Sequence, residues 1–242
     1  MEKFRFDKEL KEAVLFYEDR QPYVIVGGEK RKVRSPVLMK VKDIEEKGVA
    51  CLISEEAGDS EVEVVAVLFD DLRREGKDWI CVDPMLMERA IGFFLEHHQM
   101  EKMVSGYKSV VRDKGSGPFR PDFTLDDVCI IEVRVPPVGI AVGCGNYARL
   151  MPMTKSFERL LKGIAGISDA QGQIQKIIFL FILPYKGDGN LRLALNEKLK
   201  QDVKEISRNG IKVEFWSAEV ETDQVGISLL SYQEITDLVL CM

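Results

Sequence analysis

The sequence predicts a two-part chain, a small OB-like β-barrel followed by an α/β domain with a mixed sheet, and three observations predict it. Residues 1–80 read as short strands broken by turn residues, with no strong helical stretch between them. At Asp83-Pro84 the pattern changes to a capped helix. From there the order helix, three strands, helix, strand, helix, strand describes a three-layer domain over residues 81–242.

The strands of the first part are AVLFYED, PYVIVGG, KVRSPVLMKV, GVACLIS and the alternating EVEVVAVLF, and five short strands suit a small barrel. Gly27-Gly28 marks one turn, and Asp43 to Gly48 and Glu56 to Ser60 mark two others. In the second part Asp83 caps a helix whose first position is Pro84, where a missing N–H costs nothing. Apolar residues then recur at Leu86, Ala90, Ile91, Phe94 and Leu95. SGYKSVV, FRPDFTL and CIIEVRV follow as strands, the last stopped by Pro136-Pro137. A helix beginning near Thr154, the apolar strand KIIFLFIL, an amphipathic helix ending near Asn209 with Gly210 as its stop, and the strand IKVEFW complete the series.

The 242 residues are 45% hydrophobic, enough to fill ordinary cores. The run Ile177 to Leu183 is far shorter than the roughly 20 apolar residues of a membrane span. The opening MEKFRFDKEL carries charges where a secretory leader needs its apolar core, so the expected location is the cytoplasm with no membrane partner. Five scattered cysteines without a CxxC pair predict reduced thiols and no thiolate-held structural metal. A net charge of −6 gives no global attraction to nucleic acid, so any such binding needs a local patch. Lys30, Arg31, Lys32 and Arg34 form one, with Lys40 and Lys42 beyond; they read either as a solvated hairpin rim or as a phosphate-binding surface.

Chemistry concentrates at Pro121-Asp122 and at Glu132-Val133-Arg134 on the following strand. Alternation puts Glu132 and Arg134 on one face, and a hairpin would bring Asp122 near it. Two carboxylates and a cation meet the needs of phosphodiester cleavage: oxygen ligands for Mg²⁺ or Mn²⁺, and a positive group for developing charge. Glu88, on the preceding helix, is a candidate third carboxylate. A glutamate inside VCIIEVRV must be paired or bound to a metal, because burying it bare is too costly. A plain Glu132–Arg134 ion pair is the competing reading.

Several of these segments, in this order, resemble the sugar fermentation stimulation (SfsA) family. The matching segments are DWICVDPMLMERAIGFF, Arg120-Pro121-Asp122-Phe123, Ile131-Glu132-Val133-Arg134, TKSFERLLKGI and FLFILPYKGDG. The resemblance, good from about residue 78 to 220, implies a PD-(D/E)xK restriction-endonuclease-like core behind an OB-like domain. It further implies a divalent-metal nuclease acting on DNA or RNA, with Asp122, Glu132 and Arg134 catalytic and Glu88, Asp122 and Glu132 holding the metal. Where the family pattern has lysine this chain has Arg134, which stays protonated and so cannot serve as a general base. A nucleic-acid-binding protein that lost cleavage, or a protein-interaction module, are the alternatives. Lys155 and Lys162 read either as ordinary surface residues or as a displaced lysine.

Overall fold

The structure, a computed structural model, describes residues 1–18, 21–34, 48–55, 61–70, 77–112, 121–135, 174–184 and 197–240. Lys40, Lys42, Lys155, Lys162 and the helix expected from Thr154 lie outside the described residues.

Strands β2 (Lys11–Glu18), β3 (Gln21–Val26), β4 (Glu29–Val33), β5 (Val49–Ser54) and β6 (Glu61–Asp70) pair in the order β4-β3-β2-β5-β6. A parallel pairing of β4 with β6 closes them into a barrel. The turn between β3 and β4 is Gly27-Gly28, with φ of 57° and 88°. Two consecutive left-handed residues form the tight hairpin loop that only glycine adopts cheaply. The barrel interior is filled by alternate residues including Leu15, Val24, Ile53, Val62 and Val64. The segment KVRSPVLMKV was expected to be strand; in its described part the strand starts earlier, at Glu29, and ends at Val33, and residues 35–41 lie outside the described residues.

Next come β7 (Lys77–Cys81) and helix α1 (Pro84–Glu96), capped as the sequence predicts: the Asp83 carboxylate accepts the Met85 and Leu86 N–H groups at 2.9 and 3.2 Å. Beyond it lie β8 (Val110–Arg112), β9 (Phe123–Leu125), β10 (Cys129–Arg134), β11 (Lys176–Leu183), helix α2 (Glu197–Arg208) and β12 (Lys212–Thr222). β10, β11 and β12 run parallel, while β8, β9 and β10 are antiparallel neighbours. This is the mixed sheet expected. One apolar core, with Ile131, Val133, Ile178 and Leu180, packs under α1. A second, with Ile130, Ile177, Phe179 and Phe215, packs under Val203 and Ile206 of α2.

Among the described residues β1 (Phe4–Arg5), β13 (Gly226–Glu234) and helix α3 (Thr236–Leu240) go beyond the sequence reading. β12 runs well past Trp216 and turns at Asp223, whose carboxylate accepts the Val225 and Gly226 N–H groups at 2.9 Å each; β13 then returns beside it. β1 pairs with β13, and Leu10, Leu52, Val65 and Ala66 belong to the core under α1. Strand pairing and core packing therefore cross the expected boundary at residue 80. Among the described residues no helix is long and apolar enough to cross a membrane.

Candidate functional site

Asp122 immediately precedes β9, and Glu132 and Arg134 lie near the end of β10. The antiparallel register Ile131↔Phe123 brings Asp122 level with Glu132. The hairpin between them turns on Asp126 and Asp127, both with positive φ. Asp126 also accepts the backbone N–H groups of Lys108 and Ser109 at 3.0 and 2.8 Å, which anchors the start of β8. The Asp122 carboxylate is oriented by the Val133 N–H at 2.7 Å, a backbone contact with no signature in the sequence.

Arg134 joins the two acids. Its guanidinium pairs with Glu132, lies 3.5 Å from Asp122 Oδ2, and donates to the Val133 carbonyl at 2.6 Å. Glu132 is only 6% exposed, and its Oε2 atom is buried with no hydrogen-bond partner. Burial pushes the carboxyl up to about 7, against the pull of the neighbouring Arg134 charge.

A second buried glutamate gives the contrast. Glu214 on β12 meets Lys176 at 2.8 Å, Lys212 at 2.5 Å and the Trp216 indole N–H at 2.7 Å. Burial alone would raise its carboxyl, but those hydrogen bonds hold it below the ordinary value. Both oxygens of Glu214 are thus occupied, as in a structural ion cluster, whereas Glu132 keeps one oxygen free.

Glu88 is not gathered with this pair. It lies on α1, and Ile131 and Val133 face the core on that side of the sheet, while Ile130, and by alternation Glu132, face the other. Arg112 holds Glu88 at 3.2 Å. Glu88 does share with Asp122, Arg134 and Pro84 the wall of a cleft of about 260 Å³. Among the described residues no three His, Cys, Asp or Glu side chains are grouped to hold a metal.

The basic cluster is split by strand alternation. Arg31 points the other way from Lys30 and Lys32 and pairs with Glu55 at 3.2 Å; Arg34 lies 3.8 Å from both Glu61 and Glu63; Lys30 pairs with Glu18. Lys30 also sits 4.0 Å over the ring of Tyr23, and Lys32 is the cross-strand partner of Tyr23. Tyr23 stacks on Phe16 with ring centroids 5.5 Å apart, and Val14 and Ile25 beside them are each 38% exposed. The sequence reading missed this aromatic pair; the alternation of Val14, Phe16 and of Tyr23, Ile25 away from the barrel core was the available signal.

No protein-family model matches the chain, and no curated protein matches it. Among solved structures, that of Pyrococcus furiosus SfsA in complex with Ca²⁺ superposes with a TM-score of 0.62, over 96% of this chain and 97% of that one. The chain has the SfsA fold. Sequence identity is 12%, so the SfsA likeness speaks for architecture, from the barrel through β13, and not for chemistry.

Proposed function

We propose that this protein is a divalent-metal nuclease acting on DNA or RNA, with residues 81–242 carrying the cleavage site and residues 1–80 gripping the strand. The observation that carries the reading is the buried Glu132 carboxylate beside Asp122 with one oxygen unpartnered. A bare buried carboxylate oxygen is costly, and a hard cation relieves that cost. Mg²⁺ or Mn²⁺ fits this donor set, since such ions take one or two carboxylates and complete their shell with water and substrate phosphate. The solved SfsA structure is a complex with Ca²⁺, a hard cation of the kind that prefers oxygen ligands.

In this reading Asp122 and Glu132 would hold the ion, which would supply Lewis-acid polarisation of the phosphate and a lowered pKa for bound water. Asp122 is kept in place by the Val133 N–H. Arg134 stays protonated and offsets charge on the phosphate rather than removing a proton. Glu88, held by Arg112, shapes the mouth of the cleft. Phe16 and Tyr23 offer ring faces to bases, and Lys30 and Lys32 attract the backbone.

The test is cleavage of labelled single-stranded and duplex DNA and RNA with Mg²⁺ or Mn²⁺. Asp122→Asn and Glu132→Gln are expected to abolish cleavage while circular dichroism stays native. The Arg134 clasp on both acids favours a second reading, nucleic-acid binding without cleavage; wild-type protein that binds oligonucleotide but cuts none of these substrates would select it.

A further inference from the structure

We infer that Arg134 is the cation the carboxylate pair holds when no substrate is present, and that a phosphodiester opens the pair to the divalent ion by taking over the guanidinium. The inference deepens the metal-site reading above and rests on it.

Four observations lead here. The guanidinium reaches both Asp122 and Glu132, so it stands where a shared cation would stand. A further contact, to the Val133 carbonyl at 2.6 Å, folds the side chain back along its own strand. The arginine nevertheless keeps 23% of its side-chain surface and lines the cleft beside Asp122, which is roomy enough for a phosphate group. Finally, among the described residues no third acidic, histidine or cysteine side chain is grouped with the pair, Glu88 standing apart on the cleft wall, so these two carboxylates leave an ion with coordination positions to fill.

The consequences follow from elementary coordination and charge. Arginine binds phosphate as well as it binds carboxylate, through the same planar fork. An entering phosphodiester therefore does two things at once: it gives Arg134 a new partner, and it offers the oxygens that the ion lacks. Metal and phosphodiester then strengthen each other's binding, by the same factor in both directions. A lysine at this position carries the same charge but is a compact point charge without the fork, so it cannot clasp both carboxylates in this way. The arginine is thus a positioning residue that keeps the site closed to free metal.

The experiment is calorimetric Mn²⁺ titration of wild type, Arg134→Lys, Arg134→Gln and Glu132→Gln. Each is measured alone and with a phosphorothioate-linked oligothymidine that resists cleavage. Wild type is expected to bind Mn²⁺ weakly alone and roughly tenfold more tightly with the oligonucleotide, within the usual range of coupling between sites. Arg134→Lys, its charge unchanged, is expected to bind Mn²⁺ alone roughly tenfold more tightly than wild type and to gain less from the oligonucleotide. If Arg134→Lys matches wild type and only Arg134→Gln binds more tightly, the arginine acts through its charge alone and the clasp is overturned. If the oligonucleotide strengthens Mn²⁺ binding equally in wild type and Arg134→Lys, the hand-over is overturned. Glu132→Gln separates the two levels. Loss of Mn²⁺ binding there keeps the metal site whatever Arg134 does, whereas unchanged binding removes the metal site and this inference with it.

Discussion

Replacing Glu132 by glutamine should abolish one component of the pH dependence of stability, and its size follows from the site. Burial, only partly offset by Arg134, raises the carboxyl from 4.5 to about 7 in the folded chain. The folded state therefore keeps a proton that the unfolded state releases as pH rises above about 4.5. The stabilisation is complete below the unfolded value and is lost as pH climbs toward the folded one. At about 1.4 kcal/mol per pH unit the interval corresponds to about 3 kcal/mol. Glutamine has nearly the same shape and does not titrate, so the stability of Glu132→Gln relative to wild type should rise by about 3 kcal/mol between pH 4.5 and pH 8. Urea unfolding of both proteins across that range, with a chelator present so that no ion pairs with the carboxylate, measures the change. A difference independent of pH would refute the reasoning. It would mean that the Arg134 pair keeps Glu132 ionised throughout and that desolvation is not the governing effect.

Two further outcomes test the fold and the proposed strand-gripping face. A Cβ on Gly226 would lie 2.1 Å from the Phe4 carbonyl oxygen, so Gly226→Ala must push β1 off β13; an about 1–3 kcal/mol loss in chemical unfolding is expected. Replacing Lys30 and Lys32 by alanine should weaken oligonucleotide binding and lower the salt slope by about 0.7 for each lost phosphate contact. Phe16→Ala should weaken binding with the slope unchanged, because stacking releases no counterions; fluorescence anisotropy over a salt series separates the two.

Much of the framework was legible because it is written in local pattern. Asp83-Pro84 announces the start of α1, and Gly210, at φ 86°, marks the stop after α2. Gly27-Gly28 fixes the β3–β4 hairpin, and strict alternation on β10 puts Glu132 and Arg134 on one face. Each of these depends on residues within a few positions of one another.

What the sequence left undecided depends on partners distant along the chain. β1 is a two-residue strand, too short to show a period, and it exists because β13, more than 200 residues later, offers an edge to pair with. Glu88 lies on α1 and Glu132 on β10, and only the packing of α1 against the Ile131 and Val133 side of the sheet sets them on opposite faces. The basic run in β4 looks continuous until strand alternation sends Arg31 away from Lys30 and Lys32, and until Glu55, Glu61 and Glu63 arrive from β5 and β6. Glu132 and Glu214 are alike in the sequence, each an acid in an apolar strand. The sequence by itself determined that Glu132 is buried and needs a partner, since apolar neighbours on both sides decide burial, and IKVEFW carries the same signal for Glu214. Only the tertiary structure decided that two lysines and an indole satisfy Glu214 while Glu132 retains an unpartnered oxygen, because the partners of a buried charge come from whichever strands the sheet order sets beside it.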